Sequence, residues 1–331
     1  MTTARPTPPH RTATTVTTLV VPLFVVLATV AVAVSWTPRL PDPLAVHWTA
    51  SGAPDAFGSL KDAVAIPLLF APLLATGMWA LAFWVGRDTA TRRLAAGVAS
   101  GTAVLMSVAV LGSLAVQLDL ADATRAPGID GVAAWAFGAG ALAGAVVAVL
   151  VPRSPRQPTA APVDPDAPRT TLAPTERAAW SRSVTSPVGA VVAGSAIVLQ
   201  LALAAVLRTP ALLVVAVLLG LLMASMLVLR VAVDARGLVA RSPLGWPSVR
   251  VPLDEVVAAR VTQVDPFGEF GGWGYRIGVG GRVGFVLRKG EGIEVERTGG
   301  RVTVVTVDDA AAGAALLNTL ADRTRGGATA R

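Results

Sequence analysis

Six long apolar stretches dominate the sequence and restrict the folds that are open to it. Each is long enough to cross the hydrocarbon core of a bilayer, which takes about 20 residues of α-helix. Within lipid, backbone polar groups must be satisfied inside the segment itself, which favours helices. The sequence therefore predicts an α-helical polytopic membrane protein, with the lipid bilayer as its first partner. The six predicted transmembrane helices are residues 15–36, 63–85, 94–118, 132–151, 187–207 and 210–229.

The composition agrees with a membrane protein and excludes several kinds of functional site. Of the 331 residues, 53% are hydrophobic and 15% are charged, and the mean hydropathy is +0.62. The chain has no cysteine, which excludes disulfides, thiolate metal sites and cysteine nucleophiles. The net charge of +7 comes from basic residues spread over loops, so it indicates membrane topology and no nucleic-acid partner. The preference for arginine over lysine is typical of a bacterium with a G+C-rich genome.

The placement of arginine predicts the orientation, because loops rich in Arg and Lys stay in the cytoplasm. Ten arginines lie in the tail at 1–14 and in the loops at 86–93 and 152–186. The opposite side carries four basic residues, which are Arg39, Lys61, Arg125 and Arg208. We therefore expect a multi-pass protein of the cell membrane with cytoplasmic N and C termini. The first apolar run exceeds the roughly 7–15 residues of a signal-peptide core, so we expect it to be retained as a helix.

The predicted outer loop at 37–62 lies within the first four-helix block, 15–151, and carries more chemistry than a connector needs. Its prolines and glycines forbid a regular helix or a central strand. The residues that define this structural motif are Pro41, Asp42, Gly52, Pro54 and Gly58. The candidate ligand-binding residues of the loop are His47, Trp48 and Asp55.

The pattern LPDPLAVHW-x3-G-x-PD in this loop resembles the domain of unknown function DUF1648, which is found on the first outer loop of bacterial SdpI-like immunity proteins. The resemblance covers about 50 residues of the chain. It implies protection against a secreted toxin and recruitment of a repressor. The long C-terminal region departs from a minimal immunity protein, which weakens a direct transfer of that role.

His47 has three interpretations. A histidine among aspartates suits a pH sensor or a metal ligand, and beside Trp48 it also suits a structural or interfacial role. The other histidine, His10, is predicted on the opposite side of the membrane, so a two-histidine site cannot form within one chain. The sequence also lacks a G-x-S-x-G elbow. We therefore predict no metal, no cofactor and no enzymatic activity.

The segment 152–186 is rich in proline and is predicted to be a mobile cytoplasmic linker. It separates the first four helices from the last two, which occupy 187–229. No internal repeat relates the two groups of helices, so the sequence lacks the inverted repeat that is typical of many secondary transporters. The prolines of the segment lie at 152, 155, 158, 162, 165, 168 and 174.

After Arg230 the sequence changes to short valine-rich runs with turn residues between them. An alanine- and leucine-rich segment then follows Asp308 and runs to about Arg323, with an apolar stripe that predicts an amphipathic helix. This order of elements resembles the bacterial pleckstrin-homology-like (PH-like) domain, a small β-barrel closed by a helix. We expect such a cytoplasmic domain at 230–325, followed by a tail at 326–331. The seven predicted strands are residues 228–234, 237–242, 256–263, 273–279, 283–288, 292–298 and 301–307.

The glycine-rich segment PFGEFGGWGYR at 266–276 invites comparison with a phosphate-binding loop. Such a loop follows a strand and opens a helix, whereas here a strand-like sequence follows and the lysine-serine pair is missing. We interpret the segment as a loop between strands. Trp273, Tyr275 and Arg276 are the candidate residues of a binding edge for a cytoplasmic protein partner.

Three classes of function remain open. The first is a membrane receptor or immunity-like factor whose outer loops sense a peptide, a toxin or an envelope component. The second is a small-molecule permease or flippase-like transporter, which usually needs ionisable groups inside the membrane. None of the six spans has such a group at its middle. The third is a structural membrane scaffold.

Overall fold

A computed structural model gives the fold of the chain. It describes residues 7–49, 51–173, 175–207, 227–243, 245 and 248–329, together with the single residues 216, 220 and 223. The described residues divide into two compact units, one at Thr7–Pro155 and one that begins at Arg156. We describe each unit by itself.

The helices confirm a membrane protein. Among the residues that the structure describes, five helices are long and apolar enough to cross a bilayer, four in the first unit and one in the second. They begin and end within about five residues of the predicted spans. The sixth predicted span, 210–229, lies largely outside the described residues. The five helices are α1 (Arg11–Ser35, with a π-helical turn at Val16–Val20), α2 (Leu60–Val85), α3 (Thr89–Ala115), α4 (Asp130–Leu150) and α5 (Pro187–Leu207).

Glycines bring α3 and α4 into close contact. A Cβ built on Gly97 would lie 3.1 Å from the carbonyl oxygen of Gly144, and one on Gly101 would lie 2.9 Å from that of Gly140. Two small-x3-small motifs therefore face each other in antiparallel order and let the backbones approach. The motifs serve packing within the chain.

A buried arginine fixes the turn between α2 and α3. Arg92 is almost wholly buried, and its guanidinium donates to the carbonyl oxygens of Gly86 at 2.8 Å and Pro152 at 3.0 Å. These bonds tie the end of α4 to the α2–α3 turn. Arg92 therefore donates hydrogen bonds to backbone carbonyl groups at two turns of the chain. It is also one of the ten arginines that predict the orientation.

The second unit contains two sheets and a C-terminal helix, α7 (Ala310–Thr329), which packs against them. The first sheet has the order β3-β4-β5-β6 and the second β7-β10-β11-β9-β8. All neighbours are antiparallel except β11 and β9. The strands are β3 (Trp180–Thr185), β4 (Val228–Asp234), β5 (Gly237–Arg241), β6 (Ser248–Val251), β7 (Val256–Val264), β8 (Gly274–Ile277), β9 (Val283–Val286), β10 (Gly290–Arg297) and β11 (Arg301–Thr306), with a short helix α6 (Pro266–Phe270) after β7.

A strand-rich region closed by one helix was expected and is found, but the structure corrects its start. All seven predicted strands are present, and β3 and β6 add to them. Strand β3 lies inside the segment that was predicted to be a mobile linker, and it pairs along its whole length with β4. The folded region therefore begins before residue 180 and not at 230.

The rest of that segment also packs on the second unit. Residues 157–176, which we call the strap, bring Val163 and Ala167 into the same apolar core as α7. Arg325 donates to the carbonyl oxygen of Ala161 at 2.7 Å, and Asn318 donates to that of Pro168 at 2.8 Å. This part of the segment is therefore more than a bare linker, because side chains of α7 donate to its backbone carbonyl groups.

The transmembrane helix α5 starts directly after β3. The amide of Ser186, between β3 and α5, donates to the carbonyl oxygen of Leu227 at 3.0 Å. Leu227 immediately precedes β4, and Thr185 lies opposite Val228 in the sheet. The chain thus leaves the sheet at Ser186 and returns to the neighbouring position at Leu227.

Candidate functional site

The loop at 37–62, which we call the outer loop after its predicted side, folds into a short antiparallel hairpin. Strands β1 (Leu44–Trp48) and β2 (Pro54–Gly58) pair with irregular register, and Trp48 lies opposite Pro54. Gly52 in the turn has a φ of +84°, a left-handed conformation that other residues adopt at a cost. A Cβ built on it would lie 3.4 Å from the Cα of Gly128, so the turn also approaches the α3–α4 connection closely.

Gln117 fixes the first strand of the hairpin to the end of α3. Its side chain is fully buried, with 0% exposed. The amide of Ala45 donates to Gln117 Oε1 at 2.8 Å, and Gln117 Nε2 donates to the carbonyl oxygens of Ala45 at 3.0 Å and Ser113 at 2.8 Å. The primary amide thereby takes the place of a neighbouring strand for Ala45. The sequence had marked Gln117 only as a strong polar group near a helix end.

Trp48 is half-buried and has a structural contact. Its indole Nε1 donates to the carbonyl oxygen of Pro127 at 3.1 Å, and its ring packs against a small cluster of alanines that includes Ala45 and Ala123. The indole thus joins the hairpin to the loop before α4. This position leaves less of Trp48 for a ligand than the sequence predicted.

His47 and Asp55 form a pair on the outward face of the hairpin. His47 Nδ1 lies 2.6 Å from Asp55 Oδ1, and their side chains are 67% and 42% exposed. Among the residues that the structure describes, no group of three or more His, Asp or Glu could hold a metal ion. The pair therefore offers one imidazole and one carboxylate to solvent rather than a preformed metal centre.

Phe57 adds an exposed ring to the same face. Exposure alternates along β2, and Asp55 and Phe57 are its two exposed residues. Phe57 is 40% exposed. We call His47, Asp55 and Phe57 the outer patch. The sequence analysis had missed Phe57, although its spacing of two from Asp55 was a signal for it.

A salt bridge closes the base of this region. Arg39 Nη2 lies 2.5 Å from Asp119 Oδ2, and the amide of Asp119 donates to the carbonyl oxygen of Arg39 at 2.7 Å. Hydrogen bonding from Arg39 lowers the pKa of Asp119 below its ordinary value. The first end of the loop is thus held to the α3–α4 connection.

The residues of the predicted structural motif serve the hairpin in different ways. Pro41 is buried, whereas Asp42 is exposed. Pro54 begins β2 and Gly58 ends it. A Cβ on Gly58 would lie 2.9 Å from Asp62 Oδ2, which accepts hydrogen bonds from Ser59 at the start of α2. A side chain at position 58 would disturb this cap.

The candidate residues of the second unit lie on one glycine-rich segment but make different contacts. Trp273 packs edge to face on Phe267, with ring centroids 4.8 Å apart. Tyr275 packs against Phe285 and the core of the unit. Arg276 is exposed, and its Nε donates to the carbonyl oxygen of Trp273 at 2.7 Å. The structure therefore presents Trp273 and Arg276 at the surface and places Tyr275 at the edge of the core.

Comparison with known proteins gives one result. Residues 23–71 match the model of a domain of unknown function, DUF1648. This match confirms the resemblance predicted for the outer loop and covers the second half of α1, the whole hairpin and the first part of α2. No curated protein and no solved structure matches the chain.

Proposed function

We propose that the protein is a non-enzymatic membrane receptor or immunity-like factor whose outer patch binds a peptide, a toxin or an envelope component. The observation that carries the proposal is the rigid display of His47, Asp55 and Phe57 on a hairpin that Gln117 holds in place. A fixed surface that offers one ring, one carboxylate and one imidazole loses little conformational entropy on binding. The resemblance of the outer loop to that of SdpI-like immunity proteins supports such a role.

Charge defines the chemistry of the ligand. The predicted outer side has six aspartates and four basic residues, so it is slightly acidic. A cationic, partly apolar peptide would gain on-rate from this charge and affinity from contact with an exposed ring. Phe57 supplies that ring, because Trp48 is engaged with Pro127.

Six transmembrane helices with cytoplasmic termini complete the proposal. Helix α5 begins directly after Ser186. The amide of Ser186 donates to the carbonyl oxygen of Leu227, so the chain has returned to the same place at Leu227. A chain that leaves and returns on one side of a membrane crosses it an even number of times, which supports a second crossing within 208–226. The excess of arginine in the loop at 86–93 and in 152–186 supports a cytoplasmic position for the second unit.

We assign the second unit to a PH-like architecture of unusual form. Its two sheets and final helix support this assignment. Two features depart from the expected pattern: β9 and β11 are parallel, and a membrane segment is inserted between β3 and β4. A cytoplasmic protein partner at this unit belongs to the same proposal.

The permease alternative has less support. The space between Val26, Val64 and Val110, in the first three helices, leaves no room for a water molecule. The polar groups beside it are satisfied, since Thr29 Oγ1 donates to Ser107 Oγ at 2.7 Å. A substrate path at this place would require the helices to separate.

Binding of a model peptide tests the proposal. The full chain in nanodiscs is titrated with a fluorescent amphipathic peptide of lysine and leucine at low and high salt. Phe57→Ala should weaken binding about tenfold, and Asp55→Asn should weaken it severalfold at low salt only. Asp42→Asn is the matched control, because it makes the same charge change in the same loop outside the patch. Equal losses for both Asn variants, or an unchanged affinity of Phe57→Ala, would contradict recognition by the patch.

A further inference from the structure

A cleft of about 420 Å³ lies in the second unit where β3 passes into α5. One wall is formed by Pro187 and Val188, and the other by Phe267 and Trp273. Arg288 and Lys289 lie at its border. Neither the outer patch nor the proposed recognition of a peptide involves this cleft.

The wall formed by α5 fixes the level of the cleft relative to the bilayer. Pro187 and Val188 are the first residues of a helix whose apolar window has a mean hydropathy of 2.1. The start of a transmembrane helix lies at the boundary between hydrocarbon and headgroups. Groups that share a cleft with these residues therefore face the headgroup layer.

The opposite wall presents aromatic rings to that layer. Phe267 is 60% exposed although it is large and apolar. It is held in place, since the Asp265 carboxylate accepts from the amides of Phe267 and Gly268, both at 3.1 Å, and the Trp273 ring packs on it. Aromatic side chains are enriched at this depth because their rings tolerate both lipid and water.

Two cations at the border complete the site. Lys289 Nζ lies 3.1 Å from Asp265 Oδ2, and its side chain is 77% exposed. Arg288 pairs with the exposed Asp308. An ion pair as exposed as that of Lys289 contributes little, so Lys289 can exchange Asp265 for another anion at small cost. The Arg288 side chain is only 27% exposed and adds a second positive charge beside it. A phosphate at the level of the headgroups is such an anion.

We propose that this cleft binds the phosphate of a membrane phospholipid through Lys289 and Arg288, with Phe267 inserted into the bilayer interface. The site holds the glycine-rich segment against the membrane at the point where α5 enters it. Trp273 supports the Phe267 ring, and the assignment gives a function to the exposed aromatic residue.

Depth measurement tests the insertion of residue 267. The chain has no cysteine, so Phe267→Cys gives a single site for a nitroxide label on the full chain in nanodiscs of phosphatidylethanolamine and phosphatidylglycerol. The label should be more accessible to oxygen than to a water-soluble nickel chelate. Ser181→Cys is the control on β3, and its label should show the opposite preference. A label at 267 that prefers the nickel chelate would overturn the proposal.

Lipid binding tests the phosphate contact. The full chain in detergent is titrated with a short-chain phosphatidylglycerol, and bound lipid is counted by native mass spectrometry. Lys289→Gln should weaken binding at least threefold, whereas Arg236→Gln, which breaks a similarly exposed pair with Asp234, should leave it unchanged. Equal affinity of both variants would overturn the site. Inorganic phosphate that binds as tightly as the lipid would show a free-anion site and would also overturn it.

Discussion

The outer loop and the strap are both irregular, proline-containing segments, yet they are held in different ways. The outer loop forms its own hairpin, and one buried side chain, Gln117, satisfies the strand that lacks a neighbour. No strand is found among the described residues of the strap, which ends before β3. Its carbonyl groups accept hydrogen bonds from several side chains of α7, and its apolar residues enter the core.

This difference shows that proline content alone does not indicate mobility. A segment without regular structure stays ordered when another element offers donors to its carbonyl groups and space for its apolar side chains. The outer loop depends on a few contacts, so the loss of any one of them should destabilise the hairpin. The strap distributes its stability over many contacts, so the loss of one should matter less.

Labelling in intact cells gives the largest expected difference between the two segments. Ser51→Cys in the outer hairpin should react with an impermeant thiol reagent, and Thr175→Cys in the strap should react only after the cells are opened. The absence of native cysteine keeps the background low. The reverse pattern would contradict the assignment of sides.

Val163→Asp tests whether the strap belongs to the core. Val163 is 1% exposed, so a carboxylate there would be buried without a partner. We expect the free energy of unfolding of the second unit to fall by about 3 kcal/mol or more. Urea denaturation of the full chain in detergent measures this loss, with Ala160→Asp at an exposed strap position as control. A mobile linker would tolerate both changes equally.

Gln117→Ala should loosen the hairpin more than any change to Trp48. It leaves the amide and the carbonyl oxygen of the buried Ala45 without partners, at about 1–3 kcal/mol for each group. Trp48→Phe keeps a ring but removes the hydrogen bond to Pro127, so we expect the hairpin to lose about 1 kcal/mol of stability. Hydrogen exchange of the β1 amides measures both. Similar exchange in the two variants would show that the glutamine is not the main contact.

A pair of arginine variants separates buried from exposed contacts of the strap. Arg325→Met removes hydrogen bonds to the carbonyl oxygens of Ala161 and Val256, and we expect the free energy of unfolding to fall by about 2 kcal/mol. Arg156→Met, at the residue directly before the strap, removes an exposed pair with Asp254 and should lower the free energy of unfolding by less than about 1 kcal/mol. Urea midpoints give the two values. If Arg156 proves the more costly, the strap is held by charge and not by its carbonyl groups.

Acid should release part of the strap. A hydrogen bond from Arg260 at 2.8 Å lowers the pKa of Asp164 below the ordinary 3.8. Because the folded pKa is the lower one, this contribution is fully present above pH 3.8 and is lost as the pH falls through the folded value. The urea midpoint should therefore fall as the pH is lowered below 3.8, and Asp164→Asn should reduce that fall slightly. An identical pH dependence in the variant would exclude Asp164 as a cause.

Much of the fold could be predicted from the sequence where the signal is local. The spans follow from the lengths of apolar runs, and β4 and β5 follow from valine-rich stretches separated by Gly237. Strand β3, WSRSVT, escaped because it is short, polar and next to a proline-rich segment. Of the outer patch, His47 and Asp55 were predicted and Phe57 was missed despite its local signal, whereas the role of Gln117 depends on contacts with Ala45, 72 residues away in the chain.

The sequence by itself determined that the chain enters a membrane, where its helices run and where a β-rich region follows, because hydrophobic length and side-chain alternation are properties of neighbouring residues. Only the tertiary structure decided that the strap is ordered, that Trp48 is bound to Pro127 and that β3 is the first strand of a sheet interrupted by a membrane segment. Those results depend on which distant group donates to which carbonyl oxygen. Such pairings are fixed by packing, and a linear pattern of residue types does not record them.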